Sequence, residues 1–104
     1  MIELSSDNFE QFIKNAKVPV LVDFWAPWCS PCKAITPSLE KLSKEFEGRV
    51  IIAKLNIDDA QDLATQQGIM SIPALIIFSD GVSVKKTVGA QSYEKLQEFV
   101  NSGL

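Results

Sequence analysis

The chain has 104 residues, 46% hydrophobic and 22% charged, with a formal net charge of -3. That length fits one domain, residues 1–104, with a core that needs no staples, and the composition excludes a disordered chain. No basic run interleaved with aromatics invites nucleic acid, and no apolar run approaches the roughly 20 residues of a membrane span.

Met1 to Asp7 lacks the basic and apolar regions of a signal peptide, so a cytoplasmic, reducing location is expected. Ser5 to Asp7 is then expected to cap a first helix with Phe9, Phe12 and Ile13 on one face. The apolar run Val18 to Trp25 reads as a buried strand. A helix begins near Cys29, and its apolar positions Cys32, Ile35, Leu39, Leu42 and Phe46 step by three or four. Pro37 falls inside this helix and should kink it; Gly48 ends it. Val50 to Ile57 is the next strand, followed by a short helix capped by Asp58 or Asp59 and stopped by Gly68. Ala74 to Ser79 is a third strand, and Asp80-Gly81 turns it tightly into Val82 to Val88. Ser92 caps a last helix with Leu96, Phe99 and Val100 inward. Strands separated by helices imply parallel pairing, and the hairpin adds an antiparallel edge. The fold class is therefore α/β, a central mixed sheet with helices on both faces.

The only two cysteines sit three apart, and the chain has no His. Two thiols cannot close a four-ligand zinc site, and Lys33 after Cys32 rules out a c-type haem attachment. What remains is a thiol pair. Helical neighbours three apart bring Cβ atoms to about 5–6 Å, and a disulfide needs a Cα separation of about 4.4–6.8 Å. The pair can open and close with little backbone movement. At a strand-to-helix junction the free amides and the positive helix end favour a thiolate. Cys29 at the helix start is the expected nucleophile, and Cys32, one turn in, the resolving thiol. A purely structural bridge is the bland alternative, but so short a loop constrains the unfolded chain very little.

The run Asp23-Phe24-Trp25-Ala26-Pro27-Trp28-Cys29-Ser30-Pro31-Cys32-Lys33 resembles the active-site signature of the thioredoxin family. The resemblance continues through Pro37, Lys54-Leu55-Asn56-Ile57-Asp58, Gly68-Ile69, Ile72-Pro73 and Gly89, over essentially the whole chain without insertion. It implies the thioredoxin fold and the reduction of protein disulfides through a mixed disulfide on Cys29, which Cys32 resolves. It implies no bound cofactor beyond the redox-active Cys29–Cys32 disulfide, and no metal. As partners it implies disulfide-bearing proteins and an NADPH-dependent flavoprotein thioredoxin reductase, with the chain itself a monomer. It further implies a cis Ile72–Pro73 bond beside the thiols, with Trp28, Ile72, Pro73 and Gly89 meeting the substrate. Ser30 and Ser71 stand where that family commonly has Gly, on the surface expected to meet partners.

Supporting residues carry two readings each. Asp23 is either a carboxylate on a wet sheet face or, as the resemblance implies, a buried acid that shuttles the Cys32 proton. Lys54 either snorkels to the surface or tunes Asp23 by its charge. Trp25 is expected in the core, and Trp28 is expected to wall the site and keep water from the thiolate. Pro31 removes one N–H donor, and the loop has no His cation, so the thiolate gets less help than a disulfide oxidant needs. Reduction is the favoured direction. The alternative is a non-catalytic accessory subunit that binds through the apolar rim around the thiols.

Overall fold

In the computed structural model, which describes residues 1–104, the chain opens with a strand, β1 (Ile2–Leu4), ahead of α1 (Phe9–Asn15). Three residues are too few to show a period-two pattern, so β1 escaped the sequence reading. Next come β2 (Val20–Trp25), α2 (Ser30–Glu45), β3 (Ile51–Asn56) and a 3-10 turn at Ile57–Asp59. The chain then runs through α3 (Gln61–Gln66), β4 (Ala74–Ser79), β5 (Val82–Val88) and α4 (Tyr93–Ser102). None of the helices is long and apolar enough to cross a membrane.

The five strands form one mixed sheet in the order β1-β3-β2-β4-β5. β1, β3 and β2 are parallel, whereas β4 runs antiparallel to β2 and to β5. The alternation of strands and helices had suggested that β4 would be parallel to its neighbour. Phe24, near the end of β2, stands opposite both Leu55, near the end of β3, and Ala74 at the start of β4. β4 therefore starts where β3 ended and returns beside β2.

β2 is covered on both faces, which is why Val20 to Phe24 are all buried. Val22 and Phe24 enter one core with Phe9 and Ile13 of α1 and Leu55 of β3. Leu21 enters the other, with Ile35, Leu39 and Leu42 of α2 and Leu96 and Val100 of α4. The three-to-four spacing read along α2 thus marks its inward stripe, and the helix continues through Pro37 to Glu45.

Two expected caps differ. Asn8, not Ser5 to Asp7, precedes α1, and its Oδ1 reaches back to accept from the Ser5 N–H at 2.8 Å. Asn56 Oδ1 caps the 3-10 turn by accepting from the Asp58 N–H at 3.0 Å, and Ala60 precedes α3. In both places an Asn side chain reaches the nearby backbone as readily as Asp or Ser. Ser92 caps α4 as expected, accepting from the Lys95 N–H at 3.2 Å. In the β4–β5 turn both Asp80 (φ 54°) and Gly81 (φ 78°) adopt the left-handed region, as a tight hairpin demands.

Leu42 is fully buried between α2 and the sheet. Leu42→Ala should cost about 3–5 kcal/mol, read as a lowered denaturant midpoint with little change in slope.

Candidate active site

β2 runs out at Trp25 and the chain turns sharply. The Ala26 carbonyl accepts from the Cys29 N–H at 3.1 Å, closing a turn through the exposed Pro27 and Trp28. Cys29 remains extended (φ -95°, ψ 103°) and caps α2. Its Sγ accepts from the Cys32 N–H at 3.2 Å, and its carbonyl takes the Lys33 N–H at 3.2 Å. Ser30 and Pro31 are the first two helical residues. Pro31 lacks an N–H where the helix has no carbonyl to receive one. No acidic side chain sits in this first turn, so nothing there opposes negative charge on sulfur.

Cys29 and Cys32 are joined by a disulfide with their Cα atoms 5.3 Å apart. Ala26 lies with them, and Trp25, Ile57 and Ile72 pack against the three. Cys29 is the more accessible cysteine, 5% exposed against 1% for Cys32. Ile72–Pro73 is cis, and the Ile72 carbonyl oxygen lies 3.9 Å from Cys29 Sγ. Gly89 is brought beside Pro73 by its N–H, which donates to the Pro73 carbonyl at 2.8 Å. Its φ of +98° selects glycine, although a Cβ there would meet nothing within 4 Å. Trp28 is 68% exposed and Met70 97%. The Trp28 Nε1–H donates to Asp58 Oδ1 at 3.2 Å. Trp28 therefore flanks the disulfide as an open platform, and the inner apolar wall includes Trp25, which is only partly buried.

A thiol pair at this strand-to-helix junction, facing a cis-proline loop, invites comparison with known proteins. The family model described as Thioredoxin matches residues 1–102. Thioredoxin C-2 of Corynebacterium nephridii is 43% identical over 104 residues, covering 100% of this chain and 96% of that one. The thioredoxin of Haemophilus influenzae is 43% identical over 101 residues, covering 97% and 94%. The chain belongs to the thioredoxin family. As a member of that family it is a dithiol–disulfide oxidoreductase, and Cys29–Cys32 is its redox-active disulfide. The thioredoxin M-type of Spinacia oleracea chloroplasts is also similar, 38% identical over 102 residues, which are 98% of this chain and 56% of that one.

On β2, the central strand that leads to the disulfide, the thioredoxin sheet buries a carboxyl group. Asp23 is 2% exposed, and its Oδ1 has no hydrogen-bond partner. Burial pushes its pKa from the ordinary 3.8 up to about 7, against the opposing pull of the Lys54 charge. The wet-face reading of Asp23 is thereby excluded. Lys54 lies directly opposite it on β3 and satisfies both readings offered for it. Its head reaches outward to Glu3 Oε1 at 3.3 Å and lies 4.7 Å from the centroid of the Trp25 ring. Sequence reasoning missed Glu3, because β1 itself was missed. It gave Asp58 a capping role and a place in the family resemblance but missed its bond to Trp28, for which the sequence carries no local signal. No group of three or more His, Cys, Asp or Glu side chains in the structure could hold a metal ion.

The raised pKa makes stability depend on pH. Below about 3.8 the carboxyl is protonated in folded and unfolded chains alike. Between 3.8 and about 7 the folded chain keeps a proton that the unfolded one has lost, so stability falls as pH rises through that window. By pH 7 to 8 the loss amounts to about 4 kcal/mol. Asp23→Ala removes it and leaves a void of about 1 kcal/mol. The variant should therefore be on the order of 2–3 kcal/mol more stable than wild type at pH 7–8, with the gain gone below pH 4. Urea unfolding at both pH values checks this; a variant less stable at pH 8 would contradict an ionised, unpaired Asp23.

Proposed function

We propose that residues 1–104 act as one domain that reduces protein disulfides, with Cys29 as nucleophile and Cys32 as resolving thiol. The observation that carries this assignment is the hydrogen bond from the Cys32 N–H to Cys29 Sγ at the head of α2. In the reduced protein that contact becomes charge-assisted and stabilises a Cys29 thiolate. The thiolate attacks one sulfur of a substrate disulfide; a Cys29–substrate disulfide forms, and the other substrate sulfur leaves as thiolate. Cys32 then gives its proton to the Asp23 carboxylate and attacks Cys29 Sγ. The second substrate thiolate departs, and the Cys29–Cys32 disulfide closes, two electrons having passed to the substrate.

Asp23 suits the proton step because a group with a pKa of about 7 is part carboxylate and part acid at neutral pH. Trp28, Ile72, Pro73 and Gly89 form the rim against which an extended substrate segment lies, with the Ile72 backbone pairing to it. Ser30 and Ser71 add polarity to that rim. An NADPH-dependent flavoprotein thioredoxin reductase returns the two electrons, and the setting is the cytoplasm.

NADPH-coupled insulin reduction in the presence of a bacterial thioredoxin reductase tests substrate class and partner together. Activity is expected; an accessory binding subunit would show none. The division of labour has its own test. Cys29→Ser should abolish reduction. Cys32→Ser should attack and stall, and mass spectrometry should find it covalently joined to substrate. The reverse pattern would exchange the two roles.

A further inference from the structure

Glu3, Lys54 and Asp23 form one row across three adjacent strands. Glu3 of β1 is opposite Lys54 of β3, and Lys54 is opposite Asp23 of β2. Side chains in register on parallel neighbours point to the same face. The flanking row Leu4, Leu55 and Phe24 enters the α1-side core, so Glu3, Lys54 and Asp23 belong to the α2 side. Lys54 thus stands between two carboxylates and pairs with one. Its ammonium is held between Glu3 Oε1 and the face of Trp25, while Asp23 Oδ1 is left without a hydrogen bond.

The choice has chemical weight. A lysine turned inward would give Asp23 a counter-ion and fix it as the carboxylate. A lysine drawn outward leaves desolvation in command. We propose that Glu3 is a positioning residue: by holding Lys54 outward against Trp25 it withholds the ammonium from Asp23 and so controls the charge that Asp23 carries. Its relevance to turnover rests on the reading of Asp23 as the proton acceptor for Cys32.

The other groups around this row fit. Asp59 lines the same groove of about 280 Å³ with Glu3, Lys54, Trp25 and Asn56 and brings a second carboxylate to it. From α2 the inward positions are Cys32, Ile35, Leu39 and Leu42, uncharged in the disulfide form. β4 sets Leu75 opposite Asp23. Asp58, the remaining nearby carboxylate, accepts from Trp28. The Glu3 side chain is 72% exposed and that of Lys54 24%, so the control is open to screening by salt.

The test is a pH titration of the Asp23 side-chain carboxyl by carbon-13 NMR in the oxidised protein at low ionic strength. Wild type, Glu3→Gln, Lys54→Met and the double variant are compared. Glu3 and Asp23 are two strand spacings apart, roughly 10 Å. At that distance the bare Glu3 charge accounts for only about 0.3 pH unit in water. Glu3→Gln also frees the ammonium, so it should lower the Asp23 midpoint by about 1 pH unit, an approximately tenfold loss of proton affinity. Lys54→Met should raise the midpoint. In the Lys54→Met background, removing Glu3 should move it less than half as far, because the cation being positioned is gone. Added salt should shrink the Glu3 effect. An Asp23 midpoint indifferent to Glu3→Gln would overturn the proposal. So would an equal shift with and without Lys54, which would make Glu3 a bare distant charge. The pH profile of insulin reduction is recorded alongside. A midpoint that moves while the profile stays fixed upholds the role of Glu3 and instead removes Asp23 from the proton path.

Discussion

A helix leaves its first amides without partners, and the site grows from how α2 meets that need. Ser, Thr, Asn or Asp commonly supplies an oxygen at this position. Here Cys29 supplies sulfur, accepting the Cys32 N–H. One contact therefore starts the helix, sets the spacing of the two sulfurs and aims backbone dipoles at the reacting atom. Loss of the disulfide need not disturb the backbone, because the two Cα atoms already stand 5.3 Å apart, an ordinary helical separation. The rest of the fold serves to hold this junction still. β2 delivers Cys29 from a strand buried on both faces, and the Pro73 loop closes over it from β4.

Asp23 shows the opposing tendency. It is the one charged residue among those fully buried, and it sits on the central strand, where apolar residues would pack better. Burial of an ionised carboxyl lacking a partner is costly, and the fold places Lys54 near enough to lessen that cost but not to cancel it. Stability is conceded on the strand that leads into the disulfide and recovered from the two apolar cores on either side of the sheet.

How much of this was legible in the sequence depended on the length of each signal. The stripe from Cys32 to Phe46 repeats over four turns, so α2 and its buried face could be read residue by residue. The bounds of β4 and β5 followed from a continuous apolar run broken by Asp80-Gly81. β1 was lost because three residues carry no period, and Glu3 was lost with it. The antiparallel course of β4 was hidden because the connection from β3 is long enough for either direction and no local pattern chooses between them. Asp23 was flagged by its apolar neighbours, but its lack of a hydrogen bond is a property of packing in three dimensions. Likewise, no local pattern links Trp28 to Asp58, thirty positions away.

The sheet ends in two free edges, and each is built so that it offers a poor template. β1 has three residues, of which only Leu4 is buried, too short to recruit another strand firmly. β5 is longer and almost wholly exposed, with Val82, Val84 and Val88 open to water. Such a strand invites edge-to-edge aggregation. Lys85 and Lys86 stand in its middle, and the ladder with β4 is broken by a register shift at Ile77/Phe78. A second chain aligning there would bring lysines against lysines, a charged device of the kind that blunts an open edge.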